Sequence, residues 1–299
     1  MNKENKLALS KAERFIPELR FPAFENDGEW VDKSLIDTAD NKVKWSFTGG
    51  PFGSNLQASD YTSDGIRIIQ LQNIGNGEFN DTYKIYTSKE KADELLSCNI
   101  YSGEIILSKM GDPVGRACII PEFLKRCVMS SDGIRLVIDE KKYSKYFIYS
   151  LINSKRIREL IEKKATGSTR KRIGLDDLRG IKLIVPKSLS EQKKIASCLS
   201  SLDEVIAAHN QKLELLKDHK KGLMQNLFPQ EGEKVPKYRF RGHKDKWMTT
   251  QLNEHIDLVS GYAFKSELFS IQGKKLVTPK NFTKNGKAKW GDQLNFAGV

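Results

Sequence analysis

The chain has little cysteine and no pattern in which to use it. Cys98, Cys118, Cys127 and Cys198 form no CxxC pair, and no histidine stands at zinc-ligand spacing from them. That excludes a zinc site legible from spacing and predicts reduced, buried thiols. His209, His219, His243 and His255 make no HExxH and have no triad context, so they read as structural rather than catalytic. A GxxxxGK[ST] phosphate loop is absent, as is a GxGxxG opening a βαβ unit, and with them a nucleotide motor or dinucleotide enzyme. Gly49-Gly50-Pro51-Phe52-Gly53-Ser54 has the glycines but not the lysine. No carboxylate cluster with lysine reads as a nuclease metal site; Asp139-Glu140-Lys141 reads as a charged strand-to-helix turn. Apolar runs of about 18 residues are missing, and Met1-Asn2-Lys3-Glu4-Asn5-Lys6 leads into no apolar core. The expectation is a soluble, cytoplasmic protein with no membrane partner.

Positive charge is what the chain has in excess. Its 299 residues, enough for about two domains, carry 50 Lys+Arg against 38 Asp+Glu, a formal net charge of +12. Such an excess attracts polyanions.

A direct repeat organises the sequence. Pro17-Glu18-Leu19-Arg20-Phe21 returns as Pro236-Lys237-Tyr238-Arg239-Phe240, each followed by a tryptophan (Trp30, Trp247) and, five residues on, a leucine (Leu35, Leu252). Gly49 to Ser54 matches Gly261-Tyr262-Ala263-Phe264-Lys265-Ser266. Gly65-Ile66-Arg67-Ile68-Ile69, ahead of Asn73, matches Gly273-Lys274-Lys275-Leu276-Val277, ahead of Asn281. A period this long makes each copy a whole domain with its connector rather than a solenoid unit.

Between the copies the spacing predicts a helix over 191–228, opened by a Ser188-Leu189-Ser190-Glu191 capping box and closed by Pro229. Ile195, Leu199, Leu202, Ile206, Leu213, Leu216, Leu223 and Leu227 recur on alternating steps of four and three, with His209 and Lys220 at the two remaining seam positions. A helix of about 55 Å with so strict a seam calls for a partner helix. His209 and Lys220 then read as register devices.

The first copy reads as a mixed domain. Strands are expected over 65–71, 105–109, 116–120, 133–138 and 181–185. A helix is expected over 88–97, and another over 144–164 with a break near Asn153. Three places in it suit a polyanion. Lys163, Lys164, Arg170, Lys171 and Arg172 surround Gly167-Ser168-Thr169 with no acidic residue among them, so a flexible turn brings amides, hydroxyls and guanidinium groups together. The turn Lys109 to Arg116 holds a basic residue at each end. Gln70, Gln72, Asn73 and Asn76 carry amides suited to bidentate contact with adenine. A solvated basic loop, a glycine-shaped turn and a polar strand end account for the same three patterns.

Ile184-Val185-Pro186 runs into Ser190-Glu191-Gln192-Lys193-Lys194-Ile195-Ala196; Leu202-Asp203 and Ile206 follow, then Lys221-Gly222-Leu223-Met224-Gln225-Asn226-Leu227-Phe228. With the repeat, these residues resemble the specificity subunits of type I restriction-modification enzymes over nearly the whole chain. The resemblance implies an α+β chain: a target-recognition domain with a curved mixed sheet and helices (1–186), a conserved coiled-coil helix spacer (187–230) and a partial second copy (231–299). By resemblance each domain reads half of a bipartite site in double-stranded DNA, and this non-catalytic chain docks modification (methyltransferase) subunits and joins a restriction (translocase/endonuclease) subunit. S-adenosylmethionine, ATP and Mg belong to those partners, with no cofactor held by this chain. The candidate DNA contacts are Lys109, Arg116, Gln72, Asn73, Lys164, Ser168, Thr169, Arg170, Lys171 and Arg172. The departure from the family pattern is that the sequence stops at Val299, early in the second copy. The expectation is therefore a truncated chain whose seam is covered by self-association or by a modification subunit. A coiled-coil scaffold or non-functional subunit would show no DNA preference over competitor, and a nuclease with an unseen site would cleave DNA in divalent metal.

Overall fold

The computed structural model describes residues 15–168, 170–261, 263–270, 273–283, 286–289 and 295–296. They gather into two compact units that divide between Glu214 and Leu215, inside the long helix. The first unit carries β1 (Val31–Ser34), β2 (Phe47–Gly49), β3 (Tyr61–Thr62), β4 (Ile66–Ile69), β5 (Ile85–Thr87), α1 (Lys89–Glu94), β6 (Asn99–Tyr101), β7 (Ile105–Ser108), β8 (Met110–Gly111) and β9 (Ala117–Ile119). It continues with β10 (Arg126–Met129), β11 (Gly133–Leu136), α2 (Lys145–Asn153), α3 (Lys155–Lys164), β12 (Lys171–Arg172), α4 (Leu175–Arg179) and β13 (Lys182–Val185). The helix α5 covers Leu189–Leu227, and β14 (Phe269–Ser270), β15 (Lys274–Lys275) and β16 (Asn295–Phe296) belong to the second unit.

The expected sheet of the first unit is realised as two main sheets, in the orders β3-β5-β4-β10-β6 and β2-β11-β7-β9. The β4–β10 pair is parallel among antiparallel neighbours, which makes the first of them mixed. Burial on both faces explains the apolar runs of the central strands. On β7, Ile105 and Leu107 face one core, shared with Phe147, Ile148, Ile152, Ile157 and Ile161 of α2 and α3. Ile106, between them, faces a second core with Ile69, Ile100, Cys118, Cys127 and Met129. Ile68 and Val128 point the other way, onto Ala92, Leu95 and Cys98. Burial pushes the thiols of Cys118 and Cys127 up to about 12, so both stay protonated and inert. Cys198 departs from the expectation: it is exposed on α5.

Local signals place the helices. The Ser144 hydroxyl accepts the Phe147 N–H and caps α2. At Ser154 the backbone turns extended, φ −64° and ψ 148°, which ends α2 and starts α3 one residue beyond the expected break. The antiparallel β1–β13 pair joins the entry of the unit to its exit, Val31 opposite Val185.

At the start of α5 the capping box is half formed. The Ser188 hydroxyl accepts the Glu191 N–H at 3.4 Å, but the Glu191 carboxylate does not return to Ser188. It accepts Arg20 Nε and Nη2, each at 2.7 Å, and Trp30 Nε1 at 3.1 Å. The guanidinium and the indole take the carboxylate in place of the local amide, because a bidentate ion pair with a third donor outweighs a single bond from a neutral N–H.

The second unit repeats the geometry as well as the sequence. Short 3-10 turns at Leu252–Glu254, Ser266–Leu268 and Pro279–Asn281 match those at Leu35–Thr38, Ala58–Asp60 and Leu71–Asn73. Gly273 and Gly65 share a left-handed backbone, φ 130° and 119°. Tyr262 of the repeat lies outside the described residues.

Candidate nucleic-acid interface

The three polyanion candidates, separate in sequence, meet in space. Strand β8 pairs with β12, Gly111 opposite Lys171 and Met110 opposite Arg172; the Ile173 N–H to Lys109 oxygen bond at 3.0 Å extends the pair. Thr166 and Arg172 exchange backbone hydrogen bonds of 2.9 and 2.8 Å, closing the basic loop into a tight turn. Gly167 stands at its bend with φ +107°, where an added Cβ would meet the Arg170 oxygen at 2.8 Å. The Lys109–Arg116 turn is closed by Gly115 N–H to the Ser108 oxygen at 2.9 Å and by Arg116 N–H to the Ser108 hydroxyl at 2.9 Å. Arg116 Nη2 then donates to the Leu71 oxygen at 3.3 Å, which joins the amide-rich turn to the other two. A fourth segment ties them together: Lys109 N–H donates to the Asp132 oxygen at 2.6 Å, and Arg172 Nη2 lies 2.7 Å from the Asp132 carboxylate.

Within this surface the residues divide by what they already hold. Gln72 and Asn76 are exposed, and Gln72 donates only weakly, to the Gln70 side-chain oxygen at 3.3 Å. Lys163, Lys164, Ser168 and Arg170 are exposed, and among the described residues no ion pair engages the three cations. Lys109 and Arg116 are half-buried. Thr169 lies outside the described residues.

Three candidates are already engaged within the protein. Asn73 is fully buried, and its amide is spent inside the turn: Nδ2 donates to the Asn80 and Tyr83 oxygens at 2.9 and 2.8 Å, and Oδ1 accepts the Gln70 N–H at 3.0 Å. It shapes the turn instead of presenting to a base. Asn281 does the same for its own turn, with the Thr278 N–H and the Lys289 oxygen. The loop that lacks acids in sequence is opposed by acids in space. Lys171 Nζ sits 2.6 Å from Glu162, which holds that carboxyl below its usual range, and Arg172 is held by Asp132.

One residue was missed. Arg158 on α3 is buried beside Arg116; both its terminal nitrogens, and Arg116 Nε, have no hydrogen-bond partner among the described residues. Burial first, then the like charge of Arg116, lowers the Arg158 guanidinium to about 10, still protonated at neutral pH. The signal was its helical position: Ile157, Arg158 and Ile161 fall on one face of α3, and that face is buried. These unpaired donors are of the kind an anion satisfies, because burial leaves them without water.

The seam of α5 is the other unsatisfied surface. Ile195 is half-buried on the first unit, and Leu227 is half-buried as well. Leu199, Leu202, Ile206, Leu213, Leu216 and Leu223 are 37–56 % exposed. Among the described residues no helix is long and apolar enough to cross a membrane, and no cluster of His, Cys, Asp or Glu could hold a metal.

The first unit thus joins a mixed sheet to a basic, amide-bearing loop cluster, and α5 follows it with an exposed heptad seam. Residues 60–218 match the family model described as the type I restriction modification DNA specificity domain, and the chain belongs to that family. It is 30 % identical over 162 residues to the type I restriction enzyme MjaVIII specificity subunit of Methanocaldococcus jannaschii, covering 52 % of this chain and 37 % of that protein. To the MjaIX specificity subunit of the same organism it is 26 % identical over 245 residues, 78 % of this chain and 53 % of that one. Among solved structures, the fold matches the type I restriction-modification S subunit from M. genitalium with a TM-score of 0.50 at 20 % identity, over 72 % of this chain and 49 % of the other. The chain spans about half the length or less of these relatives.

Proposed function

We propose that the chain is a non-catalytic, sequence-specific DNA-recognition subunit of a cytoplasmic type I restriction-modification complex. Its first unit reads one half of a bipartite target, and α5 docks modification subunits. The observation that carries this reading is the convergence of the Gln70–Asn76, Lys109–Arg116 and Thr166–Arg172 turns into one bonded surface. Exposed amides at Gln72 and Asn76 face base edges, while Lys164, Arg170 and the Arg116–Arg158 pair take phosphates. Methylation with S-adenosylmethionine, and translocation and cleavage with ATP and Mg, fall to the modification and restriction subunits.

The phosphate part predicts a steep salt dependence. Four or five phosphate contacts give a log–log slope of about −4, and Lys164→Ala with Arg170→Ala makes it shallower by roughly 2 without lowering thermal stability. Fluorescence anisotropy on a short duplex across a salt series measures both; an unchanged slope returns this loop to a solvated surface.

Arg158→Met separates binding from folding. Removing an unpaired buried charge while keeping its bulk raises the thermal midpoint, yet costs about ten-fold in DNA affinity, the worth of one charge-assisted hydrogen bond. A variant that loses stability as well marks Arg158 as a structural residue.

A further inference from the structure

A cleft of about 690 Å³ opens beside the joined turns. The loop after β2 lines it through Gly49-Gly50-Pro51-Phe52-Gly53, together with Lys109 and Arg172 of those turns. Backbone bonds fix the shape of this loop. The Gly50 N–H donates to the Gly133 oxygen at 2.8 Å, and the Asn55 N–H donates to the Phe52 oxygen at 2.9 Å, which closes a turn at the tip. Just beyond it, Gln57 Nε2 donates to the Ser54 oxygen at 3.1 Å.

Phe52 is held out from this rigid turn. At 83 % exposure it is the most exposed aromatic side chain among the described residues of the first unit, and among them no other ring and no cation covers it. Leaving so large an apolar ring in water has no benefit to folding. Gly53, next to it, is not left-handed, and a Cβ added there would meet nothing within 4 Å. The fold does not call for a glycine at that place, whereas a ligand that comes close to the backbone does. The charge of the cleft is positive where it matters. Among the described residues no carboxylate engages Lys109 Nζ, and Glu94, which also lines the cleft, is taken by Lys91 at 3.1 Å. A ring beside an unpaired cation suits a ligand that is both anionic and stackable, as a base step between phosphates is.

We propose that Phe52 is a wedge that enters the base stack of a DNA duplex, with Lys109 on a phosphate beside the opened step, an inference that rests on the reading of this unit as DNA-recognising. Insertion unstacks one step and bends the duplex. The cost of that deformation depends on the step: pyrimidine–purine steps such as TA and CA yield most easily. Phe52 therefore adds a sequence preference that needs no hydrogen bond to a base edge, alongside the amides of Gln72 and Asn76. Its contribution is not electrostatic, so it differs in kind from that of Lys164 and Arg170.

The probe is a pool of random short duplexes in which 5-iododeoxyuridine replaces thymidine, mixed with the full chain and irradiated; an iodouracil stacked on a ring crosslinks to it, and mass spectrometry of the digested chain names the residue. The expected crosslink is at Phe52. Phe52→Ala weakens binding of the same pool by about ten-fold, within the range for a base stacked on a ring, and leaves the salt slope unchanged because no phosphate contact is lost. Its thermal midpoint stays in place, since the side chain is exposed. Phe52→Leu keeps an apolar wedge, so it retains most of the affinity and loses the crosslink, while Phe52→Trp keeps both. DNA binding that depends on Lys164 and Arg170 but is indifferent to Phe52→Ala, or a crosslink at another residue only, overturns the wedge and leaves the DNA reading intact. A Phe52→Ala chain with a shallower salt slope likewise overturns it, and a chain that binds no duplex at all overturns both.

Discussion

Leu213→Glu combined with Leu216→Glu is expected to convert assemblies held by α5 into monomers. Six of the eight apolar seam residues of this 39-residue helix are more than a third exposed. Covering each leucine or isoleucine contributes roughly 1.5–3 kcal/mol, so association through the seam is the expected result. Two glutamates at adjacent seam positions would put desolvated carboxylates into that contact, where no partner waits for them. Light scattering of the two versions at equal concentration reads the outcome. The unsubstituted chain runs as a concentration-dependent oligomer and the variant as a monomer, with DNA binding by the first unit intact because its loops precede the helix. A monodisperse monomer before substitution ends the self-association reading and leaves docking on modification subunits as the use of the seam.

Gly50→Ala is expected to be the most damaging single methyl in the first unit. Its Cβ would sit 1.8 Å from the Ser130 oxygen and 2.6 Å from the Ser130 carbonyl carbon, both backbone atoms. The Gly50 N–H meanwhile is fixed to the Gly133 oxygen at 2.8 Å. Neither wall can yield without parting β2 from β11, at a cost of roughly 3 kcal/mol or more. DNA binding should fall too, because the displaced Ser130–Asp132 turn anchors the Lys109 amide and the Arg172 guanidinium. Gly49→Ala is the control: an added Cβ there meets nothing within 4 Å. Thermal melts and anisotropy on both variants test this; equal midpoints for the two contradict it.

What the sequence could and could not reveal follows from the range of the interactions. Apolar runs such as Ile105-Ile106-Leu107 and the heptad spacing of α5 act locally, and the strands and helix they predict are found within a few residues of expectation. The strands β1, β2, β3, β5, β6, β8, β10 and β12 were not expected; each is two to four residues long, as are the expected ones, and their pairing partners lie far away in sequence. The convergence of the three turns rests on bonds such as Arg116 to Leu71 and Arg172 to Asp132, between residues distant in sequence and unmarked by any motif. Asn73 misled for a chemical reason: the donor and acceptor that suit adenine suit a tight turn equally well, and burial decides between them. Glu191 misled in the opposite sense. Its place in a capping box was legible, but its partners Arg20 and Trp30 were visible only as letters of a repeat, and the clamp between them needed coordinates.

The central claim, that the first unit reads DNA sequence through its joined turns, is tested most directly by selecting duplexes from a random pool with the full chain at near-physiological salt. A parallel selection uses the chain with its modification subunits. The account predicts enrichment of one short half-site motif by the chain alone, lost or broadened when Gln72→Ala and Arg116→Ala are combined. A recovered pool with no motif, bound as tightly as competitor DNA in both selections, would contradict it and leave a helical scaffold with a basic surface.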